Sequence, residues 1–331
     1  MQRRLALALV VLAACWMLAA RAARAAGTVR VGLQASGTFA WVLHAIERDG
    51  LDRAHGVQVE VTTLASKQAA KIALQAGEVD LVVDDVIGVN LLRRQGVPVQ
   101  AVYPYSLAEG SLVVPAESPI RSLADLKGKR IGVASLNDKS WLILRAAAVD
   151  RFGFDPQEEA EALAAAPPLM QELLDRGELD AAMPYWHFVA RLTATGRYRA
   201  VVSVDELLRT LDLPPEMPIL VLVAREALVE TEPEAVSGFV AAMRDAWDRL
   251  AQDPTLWEEI VDQGLYRLPD RSLLPAVQEA WQTSVPSEWS EATVADLSRM
   301  VGRLVAVAGA EVVGVERVDP GVFTTSLGVA R

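Results

Sequence analysis

Two adjacent carboxylates, Asp84 and Asp85, close a short apolar run, and a hundred positions later a similar run closes on Tyr185, Trp186 and His187. A carboxylate in a binding cleft suits an ammonium, a ring N–H or a metal ion, because desolvating it beside a bare anion is costly. Aromatic rings can stack on a flat ligand or cover an apolar one. Three further groups carry chemistry. Ser36, Gly37, Thr38 and Phe39 combine hydroxyl and N–H donors with an apolar wall. Asn137, Asp138 and Lys139 open a predicted helix, where a lysine opposes the helix dipole and so points to an anionic group on a ligand or across a cleft. Tyr105 is a second wall candidate. Simpler roles compete: helix capping for Ser36, Thr38, Asp85, Asn137 and Asp138, lobe packing for one of Tyr185 and Trp186, and a solvated Lys139. His44, His55 and His187 read as structural or exposed.

The elements that position these groups show an internal repeat. Residues 72–88 (IALQAGEVDLVVDDVIG) match 172–188 (ELLDRGELDAAMPYWHF) in outline: a helix stopped by glycine, then Gly-Glu-x-Asp, then a short apolar strand. Gly77 and Gly177 suit the left-handed position after a helix. Val79–Val83 and Leu179–Met183 read as strands buried in a parallel sheet. In open α/β sheets ligands bind beyond the carboxyl ends of strands, so two such halves facing each other make a cleft. The first half reads β-α-β-α-β-α-β from Thr28 to Tyr103. Strands are predicted over 130–134 and 200–204, with helices over 141–152, from Pro184, and over 255–263, 271–283 and 291–307. The apolar positions Val236, Phe239, Val240, Met243, Trp247 and Leu250 predict one amphipathic helix. Chain crossings near 111–115 and 218–223 imply a hinge of two segments.

Arg3 and Arg4 precede the apolar run Leu5–Ala20, and Ala23-Arg24-Ala25 resembles a signal-peptidase site, so residues 1–25 read as a cleaved export signal. Sixteen apolar residues are short for a membrane span. An alternative places lipid on Cys15, after Leu12-Ala13-Ala14. Cys15 is the sole cysteine, so a mature chain would hold no disulfide and no thiolate site. Removing the four arginines of the signal takes the formal charge from −11 to −15 (−11 − 4). That acidity opposes nucleic acid and anionic lipid as partners. A soluble periplasmic monomer is expected.

The string SLVVPAESPIRSLADLKGKRIGV (111–133) resembles the crossover and the start of the second domain in periplasmic solute-binding proteins of ABC importers, of the nitrate/sulfonate/taurine/thiamine-precursor group. GLQASGTFAWVLHAIERDGLDRAHGVQVEV (32–61), ALQAGEVDLVVDD (73–85) and LLDRGELDAAMPYW (173–186) resemble that group's opening strand, ligand loop and paired Gly-Glu-x-Asp segments. The chain departs from many relatives at Asp84-Asp85 and at Asn137-Asp138-Lys139. The resemblance implies an α/β, type II two-lobe fold, each lobe a mostly parallel sheet flanked by helices. Lobe I would comprise 27–112 plus 219–331, and lobe II 113–218. It implies a receptor that captures a small molecule and hands it to a permease with its ATPase; the turns at the strand ends offer Ser36, Gly37, Thr38, Phe39, Asp84, Asp85, Tyr105, Asn137, Asp138, Lys139, Tyr185 and Trp186 as its ligand site. No cofactor and no catalysis are implied.

Two alternatives stand beside the receptor. Asp84, Asp85 and Asp138, with Asn137 and Glu109, could surround a hard cation such as Ca²⁺ or a lanthanide. A fold relative that makes a thiamine pyrimidine precursor suggests an enzyme, for which only three histidines are available here. Asp84, Lys139 and Trp186 together would suit a zwitterion or a flat heterocycle.

Overall fold

The computed structural model describes residues 27–35, 37–107, 109–325 and 327. The export signal, Cys15 and Ser36 lie outside the described residues. Ten strands form two five-stranded sheets. In chain order they are β1 (Gly27–Gln34), β2 (Val57–Leu64), β3 (Leu81–Asp85), β4 (Val99–Leu107), β5 (Ser111–Pro115), β6 (Arg130–Val133), β7 (Glu161–Ala164), β8 (Ala181–Met183), β9 (Tyr198–Ser203) and β10 (Pro218–Arg225). The first sheet has the order β2-β1-β3-β10-β4 and the second β7-β6-β8-β5-β9. The architecture is the expected α/β fold of two lobes.

In each sheet four strands run one way and one runs against them. β10 is antiparallel to β3 and β4, and β5 is antiparallel to β8 and β9. The reversed strand is in each case the first after the chain crosses between lobes, at 107–111 and at 211–217. It arrives from the cleft side, whereas β2, β3, β4, β7, β8 and β9 each follow a helix that has returned to the far edge. Edge strand β7 had no counterpart in the expectations from sequence, since its residues are mostly exposed and lack an apolar signature.

The Gly-Glu-x-Asp repeat has a structural cause. Gly77 and Gly177 adopt φ +74° and +68°, the left-handed stop expected of them. The aspartate then receives an arginine from the neighbouring strand. Arg30 donates to Asp80 from Nε (2.7 Å) and Nη2 (2.6 Å), and Arg130 donates to Asp180 from the same atoms at 3.1 and 2.9 Å. The two pairs stand in matching register, with Val31 opposite Leu81 and Ile131 opposite Ala181. Asp80 and Asp180 are therefore lobe-building groups that lock adjacent parallel strands at their amino ends.

A third, non-covalent tie joins the lobes. Helix Glu291–Val313 packs on helix Lys139–Phe152 of the second lobe and on helix Val86–Arg94 of the first. Its Leu297, Met300, Val301 and Leu304 are buried in one apolar cluster with Ile87 and Leu92 on one side and Leu144 and Ala148 on the other. The helix predicted from Pro184 begins two residues later, at Trp186, because Tyr185 is extended (φ −63°, ψ 153°) and serves as the cap position.

Candidate functional site

Strand β1 delivers Gly37, Thr38 and Phe39 to the carboxyl edge of the first sheet. Gly37 has φ +138° and nothing within 4 Å of a Cβ added there, so backbone conformation and not crowding calls for glycine. Thr38 does not cap helix Phe39–Asp49 through its side chain. Its Oγ1 instead shares a hydrogen bond with the Tyr105 hydroxyl, 2.9 Å away. Phe39 is buried and meets Tyr105 edge-on, with ring centroids 5.2 Å apart. Burial raises the Tyr105 pKa, against a small opposing effect of Thr38. Gly37, Thr38, Phe39, Tyr105, Asp84 and Lys67 line a cavity of about 120 Å³ at this edge.

Asp84 and Asp85 end β3, in the centre of the sheet, and both are buried. Each is ion-paired with lysine. Lys67 Nζ lies 2.7 Å from Asp84 Oδ1 and 2.5 Å from Asp85 Oδ2, and Lys71 Nζ lies 2.9 Å from Asp84 Oδ2. Asp84 Oδ1 also accepts from the Asp85 N–H (2.8 Å). Asp85 Oδ1 caps helix Val86–Arg94 through the N–H groups of Ile87 (3.0 Å) and Gly88 (2.8 Å). Burial alone would hold the Asp85 proton on, but Lys67 and Lys139 outweigh it and keep its carboxyl well below the usual range. For Lys67, burial works against the ammonium and the two aspartates overcome it, raising the pKa.

The expectation that Asp84 repels a bare anion is thereby corrected, because two ammonium groups of the protein already supply its counter-charge. The same lysines take up the carboxylates of the alternative hard-cation set. Asp84 and Asp85 are committed to lysine and N–H donors, and Asp138 to N–H donors. Among the described residues no three His, Cys, Asp or Glu side chains converge as metal ligands.

The second lobe contributes the start of helix Lys139–Phe152. Asp138 is its N-cap, accepting from Ser140 N (3.0 Å) and Trp141 N (3.3 Å). Burial raises the Asp138 pKa, and its N–H donors and Lys139 only partly offset that. Lys139 does what its unfavourable place in the first turn suggested: its ammonium reaches across the cleft to Asp85 Oδ2 at 3.6 Å. Asn137 stays on its own lobe, exposed, accepting from Ser135 Oγ (2.8 Å). Tyr185 is 48% exposed, and its phenol feels the charges of Asp138 and Lys67.

Trp186 is placed elsewhere. It lies against Trp41 and Trp281 of the first lobe, with centroids 6.1 and 6.0 Å apart, in an aromatic cluster that also takes in His187 and Tyr266. The ring packs against the first lobe and also lines a larger cavity beside it. Burial first, and the Arg191 charge second, lower the His187 pKa to about 3, so the ring is neutral there.

The residues missed from sequence are Lys67 and Lys71. Helix Lys67–Ala76, capped by Ser66, returns from the carboxyl end of β2 across β1, so its first turn and a half lies along the cleft edge. Lysines four apart share a helix face. Their spacing, just after a predicted strand, was the available signal.

These elements now have a family. The profile of the family described as NMT1/THI5 like matches residues 39–256, more than half of the sequence. The chain belongs to the NMT1/THI5-like family. Solved structures share its fold across nearly the whole length. The alkanesulfonate-binding protein SsuA from Xanthomonas axonopodis pv. citri, bound to MOPS, superposes with a TM-score of 0.67 at 15% identity, covering 91% of this chain and 99% of that one. The periplasmic aliphatic sulphonate binding protein SsuA from Escherichia coli gives 0.68 at 15% identity, covering 88% and 89%. An enzyme is also similar: the desulfurization enzyme DSZB, with a TM-score of 0.56 at 18% identity, covers 88% and 97%. No curated protein matches the sequence significantly. Among the described residues of this NMT1/THI5-like chain, no helix is long and apolar enough to cross a membrane.

Proposed function

We propose that this chain is an exported receptor of an ABC importer, a periplasmic monomer that captures a small organic anion of the sulfonate type between its lobes and delivers it to a permease. The observation that carries the reading is the charge cluster at the facing carboxyl edges. Three ammoniums (Lys67, Lys71, Lys139) meet two carboxylates (Asp84, Asp85) there, a net of +1 (3 − 2). Asp138, which burial pushes toward its neutral form, lowers that sum only when ionised. One anionic head group would complete the cluster. Lys67, which lines the small cavity and bridges both aspartates, is the group best placed to receive it, with Thr38 and the Tyr105 hydroxyl as neutral donors.

The lobes close over the ligand by bending the two crossing segments, and contacts from both sides bias the open–closed balance. The histidines support binding over turnover. His55 pairs with Asp245 (2.8 Å), His44 faces Glu259 (3.6 Å) and His187 is desolvated among aromatic rings. None of them joins the charge cluster. The solute test is calorimetric titration of the mature protein with ethanesulfonate, taurine, nitrate and an aminopyrimidine. A sulfonate should bind, and Lys67→Met should weaken it about ten- to a hundredfold, the worth of one hydrogen bond to a charged group. Binding of the aminopyrimidine alone, or an unchanged Kd in Lys67→Met, would remove the basis of the proposal. Release of sulfite from a bound sulfonate would reassign the chain to catalysis.

A further inference from the structure

A second cavity, about 1400 Å³, opens where both crossing segments meet the helices around them, and it shares no lining residue with the small one. Its volume exceeds that of an ordinary small-molecule pocket, so a ligand would fill only part of it. Three aromatic residues line it: Tyr103 and Trp247, with centroids 6.3 Å apart, and Trp186. Most charged groups on the lining are matched. Arg209 pairs with Asp205 (2.6 Å), His55 with Asp245 (2.8 Å), Glu216 accepts from Ser287 Oγ (2.7 Å), and Arg244 is partnered as well.

Glu109 is different. It sits on the first crossing segment, and only its main-chain oxygen is engaged, accepting from Ser140 Oγ at 3.4 Å. Among the described residues no donor or cation meets its carboxylate. Burial, and secondarily the charge of Asp205, push its pKa well above the usual carboxylate range. A half-buried, unpartnered carboxylate that shares its cavity with Asp205 and three aromatic residues lacks one thing, a positive charge. A metal ion would need several converging ligands, and among the described residues no three His, Cys, Asp or Glu side chains converge. An ammonium attached to carbon needs one carboxylate and an aromatic face.

We infer that this cavity is a second ligand site, specific for organic ammonium compounds, with Glu109 as the anionic anchor, Asp205 as a secondary attraction and Tyr103, Trp186 and Trp247 as cation–π walls. Its residues come from both lobes and from a crossing segment, so an occupant would also bear on lobe closure.

The test titrates the mature protein with 1,5-diaminopentane and with tetramethylammonium at constant ionic strength, following tryptophan fluorescence and melting temperature. 1,5-Pentanediol and sodium chloride are the controls. Saturable binding of both cations is expected, with a Kd of about 1 mM or tighter. Glu109→Gln keeps the side-chain volume and removes the charge, and should weaken binding at least about tenfold. Glu109→Asp, with the charge one methylene short, should fall between. Lys67→Met should leave ammonium binding unchanged. The inference is overturned if the cations act no differently from sodium chloride or the diol, if Glu109→Gln binds as tightly as the unaltered chain, or if Lys67→Met abolishes the signal.

Discussion

Replacing Lys71 with methionine isolates the energetics of the buried charge cluster. The Asp84 side chain is 0% exposed, and Lys71 Nζ, 2.9 Å away, is the ammonium on its Oδ2. The other side of that oxygen is closed by backbone, since a Cβ on Gly88 would come within 2.3 Å of it. Asp84 Oδ2 accepts no hydrogen bond among the described residues, so Lys71→Met removes its nearest counter-charge and leaves it a bare buried oxygen. An orphaned buried acceptor costs about 1–3 kcal/mol, and complete loss of a partner from a buried pair about 3–5 kcal/mol. Lys67 still holds Oδ1 at 2.7 Å, so the lower range applies, about 2 kcal/mol. For a chain of this size that is roughly 3 °C of melting temperature. Calorimetry would measure it, with circular dichroism confirming the fold. Adding Asp84→Asn to Lys71→Met removes the stranded charge and should recover at least about half of the loss. A shift below about 1 °C, or a double variant less stable than Lys71→Met alone, would refute the reasoning.

Three other outcomes are expected. Lys139→Met breaks the 3.6 Å pair that spans the lobes. A partly exposed pair is worth about 0.5–1 kcal/mol, so small-angle scattering should show a larger radius of gyration without ligand, and an unchanged radius would remove the pair's role in closure. Gly88→Ala puts a methyl group 2.3 Å from Asp84 Oδ2 and should destabilise the chain by about 1–3 kcal/mol in urea unfolding. An unaffected midpoint would mean that Asp84 can move aside. The third concerns pH. His187 titrates near 3 in the fold but near about 6.5 when unfolded. As pH falls the unfolded chain takes up the proton first, so stability held above pH ~6.5 is lost below it, by about 2 kcal/mol at pH 5. His187→Phe should flatten the melting temperature between those pH values, and a slope equal to that of the unaltered chain would contradict a desolvated His187.

What could be read along the chain was whatever depends on neighbours a few residues apart. The Gly-Glu-x-Asp repeat, the left-handed Gly77 and Gly177, the caps at Asp85 and Asp138 and the amphipathic run 236–250 are all local patterns, and each appears where the residues placed it. Two facing lobes followed from the repeat, because strand ends deliver the chemically rich turns to one edge. Lys139 was legible for a local reason too, as a cation out of place in a first helical turn.

The partners of those groups were not legible. Asp84 meets lysines 13 and 17 positions earlier (84 − 71 and 84 − 67), and Arg30 meets Asp80 fifty positions on. Such distances are set by strand order, with β1 between β2 and β3, and no local signal carries that order. Trp186 looked like a cleft wall until helix Leu274–Ser284 packed on its helix and brought Trp281 to it. An aromatic ring is apolar enough for either place, so the neighbours decide. The sequence by itself determined which residues reach the edges of the two sheets, because periodicity, glycine stops and caps act within a few residues. Only the tertiary structure decided the charge they meet there, because Coulomb interactions depend on distance through space and on burial, and both come from packing.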